Sequence, residues 1–291
     1  MKKSISWWSF PGVLSGEPEL NLGECMQLAK DAGFEGIELS MDEEGVINLH
    51  STRKEMEDIL NLSKEIGIEI SSLATGLLWK YTLTSSDEKA RKKAKDVIKK
   101  LLELASYLKV DTVLVIPGAV DVFFDPSAEI VPYDIAYQRA CESLRDCLKT
   151  AEKYRVIIGV ENVWNKFLLS PLEFRDFIDK FESPYIGAYF DVGNVLLTGY
   201  PEHWIKILGK RIKKVHIKDF RREAGGIKGF VDLLEGDVNW KKVISALKDV
   251  GYDDYITAEI IPAYSHYPEV LIYNTSRSMD YILGRVQKDR R

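Results

Sequence analysis

Only three cysteines occur in the 291 residues, Cys25, Cys141 and Cys147. They share no metal-ligand spacing and leave an odd thiol over, which argues against a thiolate metal site and for reduced thiols in a cytoplasmic protein. A basic excess is missing too: 40 Lys and Arg against 45 Asp and Glu give a net charge of -5. That is the wrong sign for a surface that coats phosphate backbones, so no nucleic-acid partner is expected. No uncharged apolar run approaches the roughly 18 residues of a membrane span, so no membrane partner is expected. Met1-Lys2-Lys3 does not open a signal peptide, because Ser4, Ser6, Ser9 and Pro11 interrupt the apolar stretch that would follow. Nor does a proline- or glycine-rich linker divide the chain, which reads as one domain over residues 1–291.

Short β-rich runs alternate with longer amphipathic ones along the whole sequence. Strands are predicted at Ser4–Phe10, Gly36–Ser40, Ile68–Ala74, Thr112–Pro117, Val156–Glu161, Ile186–Asp191, Lys213–Lys218 and Tyr255–Ile260. Helical spacing of apolar residues marks Leu20–Gly33, Asp87–Leu108, Tyr133–Tyr154 and Val270–Leu283. Eight strand–helix units require a parallel sheet and suit an α/β fold of the (β/α)8 TIM-barrel type, a single domain. An open doubly wound sheet is the alternative, but Pro11-Gly12 stands where its phosphate-cradling glycine fingerprint belongs. Long loops after the fourth and seventh strands, Gly118–Pro132 and Phe220–Asp237, fall on the face where barrel active sites form, and the second reads as a lid.

Four potential ligands stand at successive strand ends. Glu161 closes Val-Ile-Ile-Gly-Val-Glu, Asp191 closes Ile-Gly-Ala-Tyr-Phe-Asp, His216 lies in Lys-Lys-Val-His-Ile-Lys-Asp, and Glu259 closes Tyr-Ile-Thr-Ala-Glu. A lone carboxylate there is more often a helix N-cap or a surface charge, and a lone imidazole more often structural. In a barrel, however, these ends converge, and three carboxylates so close repel unless a cation joins them. Oxygen-rich ligation with one imidazole suits one divalent ion, manganese, magnesium or cobalt, with zinc admitted.

The stretches Gly33-Phe34-Glu35-Gly36-Ile37-Glu38-Leu39, Val160-Glu161-Asn162, Phe190-Asp191-Val192-Gly193-Asn194, Val215-His216-Ile217-Lys218-Asp219 and Ala258-Glu259 resemble the xylose isomerase-like barrels, in particular the ketose 3-epimerase and sugar-phosphate isomerase/epimerase branch. The resemblance implies a metal-dependent enzyme of carbohydrate metabolism, expected to be a homo-oligomer (dimer or tetramer), that epimerises a sugar or sugar phosphate. Glu161, Asp191, His216 and Glu259 fall on the family's metal ligands. Glu161 and Glu259 also fall on its paired acid/base groups, which remove and return a proton on opposite faces of the carbon beside a carbonyl through an enediolate. Arg222 aligns with a substrate-contacting arginine. Two positions depart from the free-ketose enzymes: Asn194 replaces a histidine, as in the pentulose-5-phosphate branch, and Phe167 replaces a substrate-contacting glutamate.

Other pocket residues follow from strand parity. If Glu161 points inward, so does Gly159, leaving room near the axis; if His216 does, so does Lys218, as a cation for a phosphate or hydroxyl or as a surface lysine. Glu38 contacts substrate or forms a structural ion pair. Trp164, with Trp7, Trp8 and Trp79, shapes a sugar pocket or packs the barrel. An inosose-type dehydratase and a hydroxypyruvate-type aldose–ketose isomerase begin with the same proton removal and remain alternatives. A more distant one is an apurinic-site endonuclease, which needs more histidines than the four present.

Overall fold

Eight parallel strands close into a barrel in the computed structural model, which describes residues 1–16 and 18–286. Position 17 and residues 287–291 of the expected domain lie outside the described residues. The strands are β1 (Lys2–Ser6), β2 (Gly36–Ser40), β3 (Glu69–Ala74), β4 (Thr112–Val115), β5 (Ile157–Glu161), β6 (Ile186–Asp191) and β7 (Ile212–Ile217), then the short β8 (Asp219–Phe220) and β9 (Phe230–Val231), and finally β10 (Tyr255–Ala258). Neighbours follow chain order from β1 to β7, and β10 closes the ring between β7 and β1. Strands covered on both faces need apolar side chains throughout, and β4, β6 and β10 are buried at every position.

Local signals start and stop the surrounding helices where the apolar spacing does. Asn21 with Glu24, and Thr52 with Glu55, form reciprocal capping boxes at the starts of helices Leu22–Asp31 and Arg53–Ile66. Ser170 caps helix Pro171–Asp179, whose first residue lacks the N–H that would otherwise go unpaired. The expected helix over Tyr133–Tyr154 is found with those limits. Glu269–Ile282 seals the ring, because the buried Lys3 ammonium of β1 reaches Asp280 at 2.6 Å and Ser276 Oγ at 2.9 Å. No helix among the described residues is long and apolar enough to cross a membrane.

Three predicted strands overrun the ladder. β1 ends at Ser6, and Trp7–Ser9 turns away as a 3-10 helix that carries Trp8 over the barrel. β4 stops at Val115 and β10 at Ala258. Past β10 the chain is still tied to its neighbour, Glu259 N donating to Ile217 O at 3.1 Å, so the run of β-formers outlasts the strand there.

The stretch Phe220–Asp237 is a folded hairpin in which β8 pairs antiparallel with β9. Its clamp is the buried Asp219 carboxylate, the last residue of His-Ile-Lys-Asp. Oδ1 accepts from the N–H groups of Phe220 (2.9 Å) and Val238 (3.1 Å), and Oδ2 from Leu234 N–H (3.0 Å) and the Trp240 indole (2.9 Å). A β-carbon on Gly236 would collide with that carboxylate. Asp219→Ala strands these donors beneath the hairpin, and we expect it to lower stability by about 3 kcal/mol in urea titration. A loss below about 1 kcal/mol would mean that water satisfies them and the clamp is dispensable.

Candidate metal centre and its cavity

β5, β6, β7 and β10 are consecutive around the ring, and each delivers one polar side chain to its C-terminal end. Glu161 ends β5, Asp191 ends β6, His216 is the penultimate residue of β7, and Glu259 follows β10 directly. One ligand atom from each lies within 4.8 Å of the other three. All four residues are buried, Asp191 and His216 completely. The convergence expected from the four strand ends is what the barrel produces.

Around the cluster the structure supplies braces. The wholly buried Glu38 of β2 accepts from His216 Nε2 at 2.9 Å, from Ser72 Oγ at 2.7 Å and from the Tyr189 hydroxyl. Fixing Nε2 in this way turns His216 Nδ1 toward Glu161 (3.5 Å) and Glu259 (3.7 Å). Asn162 holds Asp191 by its backbone, accepting from Asp191 N at 2.9 Å and donating to Asp191 O at 2.8 Å. Asn194 N–H donates to Asp191 Oδ1 at 2.8 Å, its amide to Asn162 O at 3.0 Å, and its carbonyl receives the Trp164 indole at 2.8 Å. Lys218 lies 3.3 Å from Asp191 Oδ2 and is paired with Glu259 Oε2.

Charge and burial compete throughout the cluster. Burial pushes the Glu161 carboxyl up, to about 7, against the pull of His216 and Lys218. Asp191 is likewise raised, by burial first. For Glu38 burial acts the same way, yet His216, Tyr189 and Ser72 outweigh it and hold the carboxyl below its usual range. Burial would lower His216, but Glu38 and Glu161 raise it overall; the surrounding carboxylates raise Lys218 as well. Two buried atoms of the cluster, Asp191 Oδ2 and His216 Nδ1, have no hydrogen-bond partner. Buried polar atoms are nearly always satisfied. A carboxylate oxygen with no hydrogen bond and an imidazole nitrogen that can ligate once it gives up its proton, beside two further carboxylates, fit one divalent cation held by Glu161, Asp191, His216 and Glu259.

The cluster forms the floor of a cavity of about 630 Å³. Glu161, Glu259, Lys218 and Asn194 face it, with Trp8, Trp79 and Trp164 in the wall. Two expectations change, and of the two readings of Glu38 the ion pair is the one found. Glu38 does not reach the cavity as a sugar contact: it sits beneath the floor, fully committed to His216, Ser72 and Tyr189. Arg222 does not line the cavity either; it is exposed, donates to Leu196 O at 3.2 Å and lies over the Tyr200 ring at 5.0 Å. The room expected beside Gly159 is taken by Tyr189, whose ring would lie 3.0 Å from a β-carbon there. Asn162, Tyr189 and Asp219 were not singled out as braces. Asn162 and Asp219 belong to the quoted stretches, but their partners lie on other strands and loops.

The model of the xylose isomerase-like TIM barrel family matches residues 26–278. The chain belongs to this family. An L-ribulose-5-phosphate 3-epimerase of Escherichia coli O157:H7 is 23% identical over 287 residues, covering 94% of each chain. Among solved structures, D-psicose 3-epimerase of Clostridium cellulolyticum H10 with D-tagatose superposes with a TM-score of 0.78 at 16% identity, over 98% of this chain and 99% of that one. The IOLI protein with a binding zinc atom gives 0.76 at 18% identity, over 99% and 100%. At these identities the two structures establish a shared fold. Within it, Glu38 is the brace whose removal is most informative. Glu38→Gln keeps an acceptor for Nε2–H but removes the charge behind it. We expect about a tenfold to hundredfold loss of divalent-metal affinity by calorimetric titration, with helix content unchanged. Unaltered affinity would make Glu38 a packing residue.

Proposed function

We propose that this chain is a divalent-metal-dependent sugar epimerase that inverts the carbon beside the carbonyl, at C3, of a ketose or ketose phosphate. One observation carries the reading: Glu161 and Glu259 come from strands separated by two others and converge on one buried point at the floor of a cavity. Two carboxylates so placed can serve the two faces of one carbon. The 3-epimerase relative, aligned over nearly the whole of both chains, supports the same chemistry. The endonuclease alternative needs several imidazoles, and among the described residues His216 alone joins the cluster; His50, His203 and His266 are exposed elsewhere.

A divalent cation held by Glu161, Asp191, His216 and Glu259 would polarise the carbonyl and stabilise the negative charge that develops beside it. Manganese, magnesium and cobalt suit the oxygen-rich set, with zinc admitted. The protein's part is proton transfer and positioning. One glutamate takes the proton from the carbon, and the other delivers a proton to the opposite face. Lys218 holds a positive charge beside Glu259 and Asp191, where a substrate oxygen gathers negative charge. Trp164, held by Asn194, closes one side of the floor against water.

Gln substitution separates chemistry from ligation, because an amide oxygen still coordinates but cannot act as a carboxylate base. Glu161→Gln and Glu259→Gln are expected to fold, to retain metal at least in part, and each to lose about 10²- to 10⁴-fold in turnover. During turnover by the unsubstituted protein in deuterated water, NMR should show deuterium entering C3 of the ketose. A metal-loaded Glu259→Gln that epimerises at the original rate refutes the two-base reaction.

A further inference from the structure

The cavity is divided. Its floor is polar, whereas its wall rises through aromatic side chains from four loops, most of them meeting edge to face. Ring centroids lie 5.1 Å apart for Trp79–Phe124, 5.1 Å for Phe124–Phe123, 5.8 Å for Phe123–Trp164 and 5.0 Å for Trp164–Phe230. Large apolar side chains continue to the rim, where Phe124 is 53% exposed, Leu14 54% and Ile227 55%. Contiguous exposed apolar surface beside a reaction centre marks a surface that a ligand covers.

Size points the same way. A hexulose has twelve heavy atoms, and at the roughly 30 Å³ a water molecule takes in the liquid it fills less than about 360 Å³. The cavity holds about 630 Å³. A bare sugar seated on the floor leaves the aromatic part uncovered.

Charge opposes a phosphate in that remaining space. A phosphate dianion is stable in a buried site only with several cationic or N–H donors. Among the described residues the cavity is lined by two cations. Lys218 is at the floor, committed to Glu259 and Asp191, and Lys228 is exposed on a turn of the hairpin. Arg222, the other cation expected to contact substrate, faces Tyr200 instead.

We propose that the substrate's end remote from the reacting carbon is uncharged and apolar, a deoxy terminus or an alkyl or aryl substituent, and that phosphate-bearing ketoses are the poorer ligands. The proposal rests on the epimerase reading, which seats the reacting end on the floor. The wall then sets specificity: its ring faces cover C–H and hydrocarbon surface, and the one exposed cation there, Lys228, does not balance a phosphate dianion that has lost its water.

Binding of polyols, which have no carbonyl and cannot be epimerised, tests the wall separately from the reaction. Ribitol, ribitol 5-phosphate, 5-deoxyribitol and 5-O-phenylribitol are titrated into protein saturated with Mg²⁺, and quenching of the cavity tryptophans is read. The deoxy or the phenyl compound should bind at least about tenfold more tightly than the phosphate. Which of the two binds better tells a small deoxy terminus from a larger substituent. Phe123→Arg, at a position 38% exposed, supplies a wall cation and should move the preference about tenfold toward the phosphate. Tightest binding by ribitol 5-phosphate to the unsubstituted protein, binding by none of the four, or no shift in Phe123→Arg overturns the proposal. Should the apolar-ended polyols bind best while no ketose exchanges deuterium at C3, the wall assignment stands and the epimerase reading falls.

Discussion

Four carboxylates, Glu38, Glu161, Asp191 and Glu259, are buried within a few ångströms of two cationic side chains, His216 and Lys218, at one end of the barrel. Taking each ion out of water costs several kcal/mol, so such a cluster persists only where charges nearly balance and each polar atom finds a partner. Fully ionised, the carboxylates exceed the lysine and a protonated histidine by two charges. The strain of that surplus shows in Glu161 and Asp191, both pushed upward by burial, and in the cations, both pushed upward by their carboxylate neighbours. A divalent cation that displaces the proton on His216 Nδ1 adds one net charge and reduces that surplus to one, at the point where Asp191 Oδ2 and His216 Nδ1 make no hydrogen bond.

Much of the surrounding architecture can be read as a response to this constraint. Glu38 spends its acceptor capacity on His216, Ser72 and Tyr189, which fixes which imidazole nitrogen faces the centre. Asn162 fixes the backbone of Asp191 and the Asn194 N–H takes its Oδ1, which leaves Oδ2 to the cluster. Asp219 performs a third kind of fixing, binding the hairpin whose Phe230 forms part of the wall. Three polar residues with no place in the ligand set thereby hold an imidazole, a strand end and a roof. Positioning of this kind lets a charged site react without first reorganising.

How much was legible in the sequence follows from which interactions are local. Strand and helix positions were readable because burial on both faces makes β-former runs, and because apolar residues recur at helical spacing in Leu20–Gly33, Asp87–Leu108 and Tyr133–Tyr154. The four ligand positions were readable because each ends such a run and a closed barrel superimposes run ends. Orientation across the ring was not. Parity correctly turns Gly159 inward, but only the register that sets Gly159 beside Gly187 and Glu161 beside Tyr189 reveals that a tyrosine from β6 fills the gap. Spacing left Glu38 open between a substrate contact and an ion pair and could not orient Arg222: one pairs with His216 beneath the floor and the other turns to Leu196 and Tyr200, choices made by tertiary neighbours.

Floor and wall also differ in what can vary. The ligands and braces sit on strands whose registers are locked by the ring, so displacing one moves all, and the chemistry they support is correspondingly fixed. The wall comes from loops after β1, β3, β4, β5 and β7, each free to change length or side chain without disturbing a strand. A barrel built this way separates the proton transfer it performs from the molecule on which it performs it. The aromatic side chains concentrated here therefore carry information about the substrate that the cluster below them does not. An apolar wall also lowers the local dielectric, which strengthens the interaction of Lys218 and His216 with charge at the floor. In this chain the surface that selects the substrate and the medium that intensifies the site's electrostatics are the same set of rings.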